Sequence, residues 1–75
     1  MDFREASSRA TDACITLADI GAELGPVEQR IRRARLDPKT RGYRPPPAGW
    51  EKAIAKLARE RAGELVKLAE ELEGS

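Results

Sequence analysis

Histidine is absent from this 75-residue chain and cysteine occurs once, at Cys14. Without imidazoles or paired thiols, a zinc site, a Ser-His-Asp triad and a Cys/His dyad are excluded. No intramolecular disulfide can form from a single thiol, and a lone cysteine fits a reducing compartment. Aromatics amount to Phe3, Tyr43 and Trp50. The longest uncharged runs, 13–18 and 45–50, are far too short to cross a bilayer. The N-terminus carries Asp2, Arg4 and Glu5 and has no apolar h-region. The chain is therefore expected to be soluble and cytoplasmic, with no membrane partner. So short a chain buries only roughly 60% of its unfolded surface, too little to enclose a substrate cavity. The expectation is no enzyme: no catalytic residues, no metal, no cofactor and no small-molecule substrate. A scaffold of this size without staples depends on packed helices or on self-association.

What the sequence does have is a concentrated charge. The formal net charge is only +1, but it is unevenly spread. Residues 1–25 hold two basic and five acidic side chains, and residues 51–75 hold five basic and six acidic ones. Residues 26–50 hold seven basic side chains (Arg30, Arg32, Arg33, Arg35, Lys39, Arg41 and Arg44) against Glu28 and Asp37. Six of those seven cations are arginine, the side chain whose fork matches phosphate and guanine.

The hydrophobic spacing predicts an all-α fold. Asp2 caps a first helix running to Ala13, with Glu5 three positions later. Phe3, Ala6, Ala10, Ala13 and Cys14 recur at helical spacing along it. Cys14, in line with Ala10 and Leu17, is expected to be a small buried hydrophobe. Thr16 opens a second helix with Asp19 as its capping partner and Leu17, Ile20 and Leu24 as its stripe. Gly25-Pro26 stops it. A third helix runs from Val27 to Leu36, with Val27, Ile31 and Ala34 facing inward, and Asp37-Pro38 ends it. Residues 38–49 contain four of the five prolines and form no regular element. Trp50 to Glu73 has no proline and forms a long last helix. The expected division is a DNA-binding head over 1–37, a basic, proline-rich linker over 38–49, and a C-terminal dimerisation helix over 50–75.

Leu17 to Leu36 has the spacing of a helix-turn-helix. Two short helices crossing steeply need a small residue at the crossing, which Gly21 supplies. They also need a turn residue that tolerates positive φ, which Gly25 supplies. Ile20, Leu24, Pro26, Ile31 and Ala34 fill the angle between them. The second helix is then the recognition helix, entering the major groove of double-stranded DNA. On this reading Glu28, Gln29, Arg32 and Arg33 contact bases. Gln29 suits adenine, and Arg32 or Arg33 suits guanine. Glu28 either accepts from cytosine N4 or orients an arginine. Arg30, Arg35, Lys39, Arg41 and Arg44 meet the backbone phosphates.

The stretch from Leu17 to Leu57 resembles the small phage-type helix-turn-helix repressors. Within these it is similar to the anti-CRISPR-associated repressors, compact dimers that shut down their own operon. The narrower likeness rests on Gly42-Tyr43-Arg44-Pro45-Pro46-Pro47, which follows the recognition helix and leads into a dimerising helix. The resemblance implies an inverted-repeat operator, repression of the chain's own promoter, and a phage-encoded or nucleoid-associated protein. It maps Gln29 and Arg32 to recognition-helix contacts. The sequence departs from the pattern at Pro26, where Leu or Val is usual, and at Val27, where Ser is usual. Its last helix is also longer.

One recognition helix reads few base pairs, and dimers of this motif bind half-sites one helical turn apart. The last helix is too apolar on one face for so small a head to cover. Trp50 and Ile54 are expected to return to the core. Leu57, Leu65, Leu68 and Leu72 are expected to form a homodimer interface. The alternative function is a helical protein-interaction module, an antitoxin or adaptor, whose arginine-rich helix grips an acidic protein.

Overall fold

The computed structural model describes residues 1–25 and 28–74. The expectations placed on Pro26 and Val27 therefore lie outside the described residues. The fold is all-helical: α1 (Phe3–Asp12), α2 (Leu17–Leu24), α3 (Glu28–Ala34) and α4 (Trp50–Glu73), with no strand among the described residues.

Each helix start follows from its local chemistry. Asp2 accepts a hydrogen bond from the Glu5 N–H at 2.8 Å and so satisfies one open donor at the start of α1. At α2 the satisfaction is reciprocal. The Asp19 N–H donates to Thr16 Oγ1, and the Thr16 N–H donates to Asp19 Oδ2, both at 3.0 Å. Gly25 ends α2 in the left-handed region at φ +88°, its N–H donating to the Gly21 carbonyl at 2.8 Å. After Ala34 the chain tightens. The N–H groups of Arg35 and Leu36 each donate three residues back, to Arg32 and Arg33. This closes α3 before the expected end at Leu36.

The core is formed by Phe3, Ala10, Ile15, Leu17, Ile20, Ile31 and Ala34, with Leu24, Trp50, Ile54 and Leu57 packed against it. Ile20 and Ile31 are fully enclosed, and they join the two helices of the helix-turn-helix. Gly21 is buried beside Ile20 on α2. α2 packs on α3, and α4 packs across both α1 and α2. Phe3 and Trp50 meet edge to face, with ring centres 5.4 Å apart, and fasten the start of α4 to the start of α1. Lys56 Nζ reaches Glu23 Oε1 at 2.6 Å and ties α4 to α2.

Two sequence expectations in this region are overturned. Cys14 is exposed, not buried, and Ala13 is exposed with it. The helical stripe on which both were placed stops at Asp12. Beyond it Cys14 adopts φ +68°, a conformation uncommon outside glycine, and its side chain turns away from the core. Ile15, given no role by the periodicity, takes the buried position at 3% exposure. Ser7, on which the sequence placed no expectation, is fully enclosed within α1. Its Oγ donates to the Arg4 carbonyl at 3.1 Å, so the burial leaves the hydroxyl satisfied.

The molecule is elongated, 54 × 20 × 18 Å, because α4 runs past the head. At about 1.5 Å per residue, its 24 residues span about 36 Å. Its first two turns lie on the core. Leu65, Val66, Leu68 and Leu72 are more than half exposed. No helix among the described residues is long and apolar enough to cross a membrane.

Candidate nucleic-acid interface

α3 is seven residues long, with Ile31 and Ala34 facing inward. Those two anchors fix its rotation. The remaining five residues, Glu28, Gln29, Arg30, Arg32 and Arg33, are all exposed. A short helix held by two buried side chains thus presents three guanidiniums and an amide to solvent.

The outward residues divide into two strips. Gln29, Arg30 and Arg33 line an open hollow of about 460 Å³, closed on its far side by Arg44 and Pro45. Arg44 lies eleven residues beyond Arg33, and the turn after α3 brings it back. The Lys39 N–H donates to Asp37 Oδ1 at 2.9 Å, and the Thr40 N–H donates to the Asp37 carbonyl at 2.8 Å. Gly42 at φ +102° then reverses the chain, and Tyr43 is half-buried beyond it. Beyond this reversal, Arg44 and Pro45 lie alongside α3. One wall of the hollow is therefore helical and the other is a stiff segment without helical freedom.

The second strip pairs Arg32 with Glu28. The guanidinium nitrogen stands 2.7 Å from the carboxylate oxygen, one turn apart on α3, and both side chains remain largely in solvent. Of the two roles open to Glu28, orienting an arginine is the one this geometry displays.

Arg35 departs from its expected place. It is half-buried, and its terminal nitrogen donates to Ser8 Oγ of α1 at 2.9 Å. Its Nε is buried with no hydrogen-bond partner among the described residues. Arg35 stands four residues beyond buried Ile31, so helical spacing sets it on the inward side, where it meets α1. The charge count gave no sign of this, but the four-residue spacing from Ile31 to Arg35 did. Lys39 and Arg41 are exposed on the turn, outside the hollow's lining.

Of the four leucines expected at a dimer face, Leu65, Leu68 and Leu72 are exposed, while Leu57 packs on the core of its own head. Arg61, where the apolar spacing of α4 lapses, is half-buried and donates to the Cys14 carbonyl at 3.4 Å. The lapse is thus a docking point for the turn between α1 and α2.

No group of three or more potential metal-ligating side chains converges among the described residues. The chain matches no protein-family model, no curated protein and no solved structure.

Proposed function

We propose that this chain is a sequence-specific double-stranded-DNA-binding protein, acting as a homodimeric transcriptional repressor at an inverted-repeat operator. One observation carries the reading. α3 is locked to α2 across the left-handed Gly25 by buried Ile31 and Ala34, and it turns Gln29, Arg30, Arg32 and Arg33 outward with Arg44 beside them. A helix of this kind inserts into the major groove, where an amide and guanidiniums distinguish adenine and guanine by paired hydrogen bonds. Gln29, Arg32 and Arg33 are assigned to base edges, with Glu28 orienting Arg32. Arg30, Arg44, Lys39 and Arg41 are assigned to phosphates, which set register and carry the salt dependence. The repressor role rests on the resemblance to small phage-type repressors.

The experiment is selection from a random duplex library at about 150 mM salt, an ionic strength at which non-specific binding is weak. An enriched inverted repeat with half-sites about ten base pairs apart supports a symmetric reader. A folded protein that enriches nothing overturns the reading and favours an acidic protein as the partner of α3. Arg32→Ala and Arg33→Ala then test the assignment. Each is expected to lower affinity for the enriched site by about 1–3 kcal/mol and to relax preference at particular positions.

A further inference from the structure

The three aromatic side chains of the protein come from separate places in the chain and line one hollow. Phe3 opens α1, Tyr43 follows the turn after α3, and Trp50 opens α4. The hollow measures about 280 Å³. That is just under the roughly 300–1,000 Å³ of sites for drug-sized ligands, and it suits a molecule of small-metabolite size. Leu36, Pro38 and Pro46 extend the apolar lining. Phe3 and Trp50 already hold each other edge to face, so this part of the lining is set before anything binds. Two opposite charges complete it. Asp2 and Arg4 line the same hollow, both are exposed, and neither forms an ion pair among the described residues. Asp2 Oδ1 takes the Glu5 N–H, which leaves the carboxylate further acceptor capacity. One negative and one positive charge beside an apolar lining complement a zwitterion that carries an apolar group. A simple acid would face the Asp2 charge unpaired, and a simple amine would face that of Arg4.

We propose that this hollow binds a free α-amino acid with an aromatic side chain. Its ammonium lies toward Asp2, its carboxylate toward the Arg4 guanidinium, and its ring among Phe3, Tyr43 and Trp50. The hollow also shares a wall with the basic hollow beside α3. Tyr43 and Pro46 line the aromatic side of that wall, while Arg44 and Pro45 between them line the basic side. A proline-rich chain repeats about every three residues, which sets residues 43 and 46 on one side and leaves 44 and 45 for the other. An occupant that holds Tyr43 and Pro46 therefore also holds Arg44 against α3. This consequence rests on the DNA reading given above, and it makes the amino acid a regulator of the same interface. Saturating amino acid is expected to raise duplex affinity at least about fivefold, and the duplex to raise amino-acid affinity by the same factor.

Trp50 is the single tryptophan, so its fluorescence reports on the hollow directly. The full chain is titrated with L-phenylalanine, whose own emission does not overlap that of tryptophan, and calorimetry measures the same binding independently. Saturable binding with Kd at or below about 1 mM is expected. L-Alanine lacks the ring, 3-phenylpropionate the ammonium and phenethylamine the carboxylate. Each is expected to bind at least about tenfold more weakly. Arg4→Gln is expected to weaken L-phenylalanine about tenfold and leave phenethylamine unchanged. Asp2→Asn keeps a capping side chain, and it is expected to weaken L-phenylalanine similarly and leave 3-phenylpropionate unchanged. Circular dichroism checks that both variants keep their helicity. No saturable binding by either method up to about 10 mM overturns the proposal, as does unaltered phenylalanine binding by both folded variants. The two readings fail separately. A chain that binds phenylalanine and ignores every duplex sinks DNA binding alone, and one that selects a DNA site without binding phenylalanine sinks the ligand site alone. Duplex affinity indifferent to bound phenylalanine overturns the coupling through Arg44.

Discussion

Arg32 and Glu28 form an ion pair at 2.7 Å on the exposed side of α3, and the pair holds one of the four outward polar residues beyond Glu28 in a fixed direction. A free guanidinium on a helix surface samples many rotamers, and each must be lost when it meets a base. A carboxylate one turn earlier removes some of that freedom beforehand. On the proposed reading it also places a negative charge on the side that would face the DNA backbone.

Glu28→Gln is therefore expected to act in opposite directions on two affinities. Binding to a scrambled duplex should tighten, because a repulsive charge is gone. Preference for the selected site should fall by up to about 1–3 kcal/mol, the worth of one good base contact. Fluorescence anisotropy against both duplexes measures the two together. An unchanged ratio would show that Glu28 takes no part in readout.

Arg35 should behave as a structural residue. Ser8→Ala removes the acceptor of its hydrogen bond, and Arg35→Ala removes the donor. Each is expected to lower unfolding free energy by about 1.5–3 kcal/mol in urea titration, the range for bonds to charged groups. Ser8→Ala should leave the slope of log affinity against log salt unchanged. Arg44→Ala should reduce that slope by about one phosphate's share while leaving stability alone. A reduced salt slope in Arg35→Ala would return Arg35 to the DNA side.

Gly25→Ala tests the turn. A Cβ there meets no atom within 4 Å among the described residues, so the cost comes from the backbone at φ +88°. Left-handed geometry costs an alanine about 1–2 kcal/mol, partly offset by a stiffer unfolded chain. A thermal midpoint lowered by several degrees is expected, with Gly25→Asn in between, since asparagine tolerates this region better. Equal stability of all three proteins would remove the turn from the account.

The Lys56–Glu23 bridge predicts a pH window. The hydrogen bond and charge of Glu23 raise the Lys56 pKa above its ordinary 10.5. A base whose folded pKa is raised contributes stability in full below its unfolded value. It loses that contribution as pH rises through the folded value. The stability difference between the natural chain and Glu23→Gln is thus expected to stay constant from about pH 6 to about pH 9 and to shrink only above the lysine range. Both side chains contact solvent, so the difference should also fall with added salt. A difference that changes near neutrality would assign the effect to another group.

The starts of α1 and α2 and the stop of α2 were legible in the sequence because they rest on neighbours a few residues apart, whereas α3, expected to run to Leu36, stops at Ala34. Asp2 with Glu5, Thr16 with Asp19, and Gly25 each act through a bond of at most four residues' reach. The bounds of α4 at Trp50 and Glu73 followed from proline before it and an unbroken helical pattern within it. Burial was legible only inside a helix. At Cys14 the rule was carried past the helix end, where successive side chains no longer keep their angular spacing, and Ile15 took the inward place.

The basic segment was equally plain as composition, but its division was not. Charge counts give seven cations between residues 26 and 50 and say nothing of which way each points. The rotation of α3 about Ile31 and Ala34 turned Arg30 and Arg33 toward Arg44 and set Arg35, four residues beyond Ile31, against Ser8. The spacing of Leu57 likewise placed it with Leu65, although the head covers one and leaves the other bare. Local hydrogen bonding and periodicity thus determined the helices and their apolar stripes from the sequence alone. Which charges meet solvent, and where the stripe of α4 passes from core to open surface, were decided by packing between helices distant in sequence. Those relations depend on how long each helix runs before it meets another.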